Sequence, residues 1–196
     1  MNKEEIKEFF DGWADKWDED MIRKEDIISI ILDNAHIKEN MNVLDVACGT
    51  GVLFEDYLRR GASVIGIDLS SEMVKVAKSK YPDIKVICGD VEEVEFDEKF
   101  DVIHIYNAFP HFPSPSSLIK HLSKYVKSNG YLAVSHSMSK EDLAIHHKRA
   151  SHVSIDLLHE DDLASLMSTY FDIETVIANE YMYQVVGKKK DCFSKF

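Results

Sequence analysis

At 196 residues with 45% hydrophobic content, the chain suits one globular domain with a sizeable core and needs no second one. Its 35 acidic against 23 basic side chains give a formal charge of −12, which repels a phosphate backbone and argues against a nucleic-acid partner. The longest aliphatic run, IISIIL, is far too short for a membrane span, and no signal-peptide pattern opens the chain. With three cysteines, Cys48, Cys88 and Cys192, at no paired spacing, a soluble cytoplasmic protein is expected.

Blocks of helical and strand periodicity alternate along the chain, the pattern of a mostly parallel sheet with helices on both faces. Two helices come first: Ile6, Phe10, Trp13 and Trp17 share one face, and Ile27, Ile31 and Ala35 share another. Strands are predicted over 42–47, 63–68, 84–88, 100–106, 131–136, 171–178 and 181–187. Between them lie a helix capped by Ser70 with Met73 and Ala77 inward, one carrying Leu118, Leu122 and Val126, and one carrying Leu163, Leu166, Met167 and Tyr170. Only Asn179 and Glu180 separate the last two strands, so they are predicted to close the sheet as an antiparallel hairpin. Residues 1–40 thus read as an N-terminal helical lid, 41–187 as the main α/β domain, and 188–196 as a frayed tail.

The most informative stretch runs from Val43 to Gly51, VLDVACGTG, an apolar strand entering a Gly-x-Gly turn with Asp45 four positions before Gly49. A glycine turn lets backbone approach a ligand, and the following helix presents unsatisfied N–H groups at the same spot. The second strand ends in Asp68, about twenty residues on, where a carboxylate can grip ribose hydroxyls, and the third delivers Asp90. Three strand tips bearing carboxylates or glycines describe a nucleoside crevice. A dinucleotide fingerprint is disfavoured because Phe54 stands where its third glycine belongs, and no G-K-[ST] supports a P-loop.

On Asp45, Gly49 and Gly51, which match D-x-x-x-G-x-G, the chain resembles the class I S-adenosylmethionine-dependent methyltransferases, and the likeness runs from FFDGWADKWD to the last strand. The resemblance implies a Rossmann-like seven-stranded sheet with an antiparallel C-terminal hairpin, and S-adenosyl-L-methionine as cofactor. It implies that Asp45 positions the methionine end of the cofactor, unless it only ties down the loop. Ala47, Cys48, Gly49 and Gly51 would form the wall against the amino-acid portion, with Cys48 a small buried spacer. Asp68 would accept the ribose hydroxyls, and Asp68→Ala would weaken binding by about one to two decades with the fold intact. Leu69 and Met73 would flank the adenine, although Met73 equally suits the core. Asp90 with Val91 would read the adenine edge, the competing reading being a solvated acidic turn that continues through Glu92, Glu93 and Glu95. The opening segment resembles the entry helix of small-molecule methyltransferases related to those of ubiquinone and menaquinone biosynthesis. Phe10, Trp13 and Trp17 would form a lid there, or a helix docked permanently.

The acceptor is expected to be a small molecule held in line with the S–CH₃ bond. Asn107, Phe109, His111 and Phe112 follow the fourth strand and His136 ends the fifth, so His111 and His136 are the candidate proton acceptors. His146, His147, His152 and His159 fall in the segment after the fifth strand without the spacing of a single-helix zinc site; a site assembled from His111, His136 and one of them stays open, and no metal is assigned. Two alternatives stay open: a binder of the nucleoside without turnover, and a methyltransferase acting on a thiol, metal or metalloid centre.

Overall fold

A computed structural model describes residues 2–19, 21–147 and 152–191, with the side chains of 144–147 left aside. Helix α1 (Lys3–Trp13) opens with a capping box between Asn2 and Glu5 and passes into a 3₁₀ turn, Ala14–Lys16. Then follow α2 (Glu25–Asn34), β1 (Asn42–Val46), α3 (Phe54–Arg59), β2 (Ser63–Asp68), α4 (Ser71–Lys80), β3 (Lys85–Cys88) and β4 (Phe100–Tyr106). The second half holds a 3₁₀ turn (Phe109–His111), α5 (Pro115–Leu122), β5 (Val126–His136), α6 (Lys140–His147), α7 (Glu160–Met167), β6 (Phe171–Ala178) and β7 (Tyr183–Lys189).

The strands form one seven-stranded sheet in the order β3-β2-β1-β4-β5-β7-β6, with β7 antiparallel to both of its neighbours and the other pairs parallel. The order reverses at β1, which sends β2 to one side and β4 to the other, so a crevice opens beyond the carboxyl ends of these strands. Alternation along β1 sends Val43 to the face covered by α2, α3 and α4 and Leu44 and Val46 to the face covered by α5 and α7. Ser70 caps α4 as its sequence suggests, accepting from the Met73 N–H at 3.1 Å. Among the described residues no helix is long and apolar enough to cross a membrane.

The structure departs from the sequence reading in a few places. Helix α5 stops at Leu122, and Val126 instead begins β5, where it pairs with Phe100. The strand tolerates the turn-like Ser128-Asn129-Gly130 because the register shifts there: Asn129 takes a positive φ of 61°, and a side chain on Gly130 would collide with the Asp101 carbonyl. In α2 the inward stripe is Ile28, Ile31, Leu32 and Ala35, with Ile27 only half-buried. The closing hairpin is antiparallel as expected, but its connection is longer: the Asn179 side chain accepts from the Tyr181 and Met182 N–H groups, delaying β7 to Tyr183. That strand then runs on through Lys188 and Lys189, beyond the expected start of the tail; residues 192–196 lie outside the described residues.

Candidate active site

At the end of β1 the chain turns sharply: Ala47, Gly49 and Gly51 all have positive φ, at 55°, 54° and 78°. For Ala47 this is a strained conformation, held by its neighbours, since the Cys48 N–H donates to the Ile67 carbonyl and the Gly51 N–H to that of Cys48. The turn is pinned from β2 by Asp68, whose two carboxylate oxygens each accept one backbone N–H at 2.8 Å, from Gly49 and from Ser70. Each oxygen retains acceptor capacity toward the crevice. Burial pushes the Asp68 carboxyl up to about 6, against the pull of these N–H groups, and leaves it mainly ionised at neutral pH. Asp45 is more deeply set, at 3% exposure, and is pushed up to about 8 by burial, with the Tyr57 hydroxyl bond opposing and the charge of Asp68 adding. At the tip of β3, Asp90 accepts from the Glu92 N–H at 2.9 Å.

These groups face one cavity of about 740 Å³, within the usual range for small-molecule sites. Trp17, Asp45, Ala47, Cys48, Gly49, Asp68, Leu69, Met73, Asp90, Val91, Asn107 and His111 all line it. Gly51 does not: it sits behind the turn, where an added Cβ would strike the Phe54 ring at 2.7 Å. His136 is the second exception. The two-residue period of β5 puts it on the same face as Leu132 and Val134, fully buried beside the Tyr183 ring, and it lines no part of the cavity. Asn107 ties the tips of β4 and β5 together through Ser137, with bonds of 3.0 and 3.2 Å. The His111 Nδ1–H donates to the Val153 carbonyl at 2.8 Å, since a carbonyl only accepts. Of the later histidines, His152 packs edge-on to Phe9, and His159 caps α7 by accepting from the Asp161 N–H; the side chains of His146 and His147 lie outside the described residues. Among the described residues, no group of three His, Cys, Asp or Glu side chains could hold a metal ion.

Helix α1 and the turn after it lie across the crevice as a strap, tied by polar groups whose roles the sequence did not announce. Lys3 pairs with Asp90 and, at 3.1 Å, with Glu92; Asp11 accepts from the Ser70 hydroxyl at 2.6 Å and the Glu72 N–H at 3.1 Å. Asp18 accepts from the Thr50 hydroxyl in the glycine turn and pairs with Lys80, both at 2.6 Å. The ring of Phe10 meets His111 at 4.9 Å and Trp17 at 5.6 Å, while Trp17 Nε1 stands 4.0 Å from a Cβ built on Gly49. Partly exposed ion pairs contribute up to about 1 kcal/mol each, so Lys3→Met should accelerate hydrogen exchange in the first turns of α1 by up to about fivefold with little change in melting temperature. Unchanged exchange would show that the pair does not hold the strap.

This sheet order, with a glycine turn at the reversal point and acidic tips on the next two strands, defines a doubly wound, nucleoside-binding class of fold. The comparisons with known proteins agree. The methyltransferase-domain family matches residues 44–134. A ubiquinone biosynthesis O-methyltransferase from Nitrosomonas europaea is 38% identical over 96 residues, 46% of this chain and 41% of that protein. Another, from Coxiella burnetii, is 30% identical over 142 residues, 67% of this chain and 61% of that protein. The magnesium protoporphyrin IX methyltransferase of Synechocystis PCC 6803, solved with bound SAH, superposes with a TM-score of 0.75 at 18% identity, covering 96% of this chain and 100% of that one. Residues 44–134 thus match the methyltransferase-domain family, and S-adenosylmethionine-dependent methyltransferases are what the chain is similar to in sequence and in fold. The chain spans 40–61% of the length of the curated relatives it matches.

Proposed function

We propose that the protein transfers the methyl group of S-adenosylmethionine to a small acceptor enclosed beneath the strap, by in-line displacement at the sulfonium. The observation that carries this reading is the convergence of Asp45, Asp68 and Asp90 on one cavity beyond the tips of β1, β2 and β3. Asp68 has acceptor capacity left for the ribose hydroxyls, Asp90 and Val91 stand for the adenine edge, and Leu69 and Met73 for its faces. Asp45, Ala47, Cys48 and Gly49 take the amino-acid end, with Asn107 closing the far wall and Trp17 above the glycine turn. Phe9, Trp13, Phe112, Met138 and Leu143 add apolar side chains to the cavity lining, which suits an acceptor with a substantial apolar body.

Methyl transfer from a sulfonium needs alignment and exclusion of water more than it needs a base. When the acceptor is a hydroxyl or an ammonium, its proton must leave, and His111, which lines the cavity, is the candidate to take it. The strap serves as a lid over residues 41–187. The charge of −12 supports an acceptor other than nucleic acid, and the unbridged Cys48 and Cys88 support a cytoplasmic setting. Mass-spectrometric screening of acceptors with methyl-labelled cofactor tests the reading: label in a small product, together with S-adenosylhomocysteine, is expected, and its absence across a metabolite extract would count against turnover. In that assay His111→Ala should lower kcat about 10²- to 10⁴-fold while cofactor affinity stays within about twofold. His136→Gln should cost stability and leave the kcat of the folded fraction nearly unchanged; full activity in His111→Ala would remove His111 from catalysis.

A further inference from the structure

Under the floor of the cavity a row of polar side chains runs into the core: Asp45 on β1, Tyr57 on α3, His104 on β4 and Ser135 on β5. All are within 3% exposure, and of the row only Asp45 lines the cavity. Register explains the alignment, since Asp45 lies beside His104 across the β1–β4 pair and His104 lies beside Ala133, two residues from Ser135. The Tyr57 hydroxyl stands close enough to the Asp45 carboxyl to favour its ionised form and lies 2.9 Å from His104 Nδ1, while His104 Nε2 lies 3.0 Å from Ser135 Oγ. Burying four polar groups in an apolar layer is costly unless each bond in the row is made.

The bonding capacities of these groups allow the row two directions. Burial holds His104 down to about 3, so its ring is neutral and carries one proton. An ionised Asp45 can only accept. A Tyr57 hydroxyl turned to that carboxylate accepts from His104 Nδ1–H, and Ser135 then donates to the bare Nε2. A protonated Asp45 permits the reverse order, in which the carboxyl donates to the Tyr57 oxygen, Tyr57 donates to Nδ1, and an Nε2–H donates to Ser135.

We propose that Tyr57, His104 and Ser135 form a reversible relay that couples Asp45 ionisation to cofactor occupancy, the cationic end of the cofactor beside Asp45 selecting the direction with the imidazole proton on Nδ1. This rests on the cofactor reading given above. Between the two end states one carboxyl proton is lost to solvent, the Tyr57 proton turns from Nδ1 to the carboxylate, and the imidazole proton moves from Nε2 to Nδ1. The ionisable groups facing Asp45 are Tyr57 from α3, His104 on β4, Cys48 in the glycine turn and Asp68 at the tip of β2. Burial pushes the Cys48 thiol and the Tyr57 phenol well up, so both stay neutral while Asp45 titrates, and Asp68 is already ionised when Asp45 loses its proton near pH 8. The three interior residues are positioning residues: they act on the cofactor through Asp45.

The tautomer of His104 is directly readable in the full chain labelled with ¹⁵N-histidine, its signals identified by their loss in His104→Gln. Raising the pH from 6 to 9.5 without ligand should move the proton from Nε2 to Nδ1 with a midpoint near 8. Adding S-adenosylhomocysteine at pH 7 should produce the same move. Calorimetry in two buffers of different ionisation enthalpy should count about one proton released, with affinity rising up to about tenfold per pH unit between 6 and 8. Tyr57→Phe keeps the ring in place and should bind the same compound with a His104 tautomer that no longer responds. Binding with an unchanging tautomer would overturn the relay and leave the cofactor reading standing. A pH-driven switch with no binding heat would overturn the cofactor reading, and with it the coupling to occupancy.

Discussion

Asp68→Ala should lower the affinity for S-adenosylhomocysteine by at least about two decades and also loosen the glycine turn after β1. The sequence alone suggests a loss of one to two decades with the fold intact. The structure adds a second duty, because the same carboxylate holds the Gly49 and Ser70 N–H groups. Hydrogen bonds to a charged group contribute about 1.5–3 kcal/mol each, so losing the ribose acceptors and the loop anchors together exceeds what either role predicts. Asp68→Asn keeps one accepting oxygen, and its loss of affinity should be the smaller one. Calorimetric titration measures both variants, with melting temperature reporting the loop; affinity within about threefold of the parent protein would take Asp68 out of the site.

The second large effect is expected in stability. At Gly51 a methyl group would sit 2.7 and 2.9 Å from Phe54 ring carbons and 3.2 Å from Tyr81, on a backbone with φ of 78°. Phe54 cannot retreat, since its ring tip already fills the space over Gly66, where an added Cβ would come within 2.6 Å. Left-handed strain of about 1–2 kcal/mol joins an overpacking cost of about 1–3 kcal/mol, so Gly51→Ala should destabilise the fold by roughly 2–5 kcal/mol in chemical unfolding. Phe54→Leu in the same chain should recover part of the overpacking share and none of the backbone strain. A loss below about 1 kcal/mol would mean that the turn is looser than its contacts indicate.

Much of this was legible in the sequence, for physical reasons that differ by element. Strands β2, β4 and β6 match their predicted bounds because each carries a core of β-favouring residues between clear breaks. The gathering of Asp45, Gly49, Asp68 and Asp90 on one cavity was legible because it is local: a strand, a glycine turn and the acids at the next two strand tips are fixed by spacing along the chain. Tertiary partners were not. Whether Lys3 reaches Asp90 depends on where α1 lands, and the row from Asp45 to Ser135 needs the register of three strands and the docking of α3. His136 shows a signal that was present and outweighed: its parity with Leu132 and Val134 pointed inward, against its place at a strand tip. Gly51 shows the converse, a motif glycine whose freedom is spent on packing against Phe54.

A crystal structure with S-adenosylhomocysteine tests the central claim most directly. The account predicts the ribose hydroxyls within hydrogen-bonding distance of Asp68, the adenine between Leu69 and Met73 with its edge at Asp90, and the amino-acid end against Gly49 beside Asp45. Ligand density elsewhere on the molecule, or an adenosyl group that leaves Asp68 untouched, would contradict it.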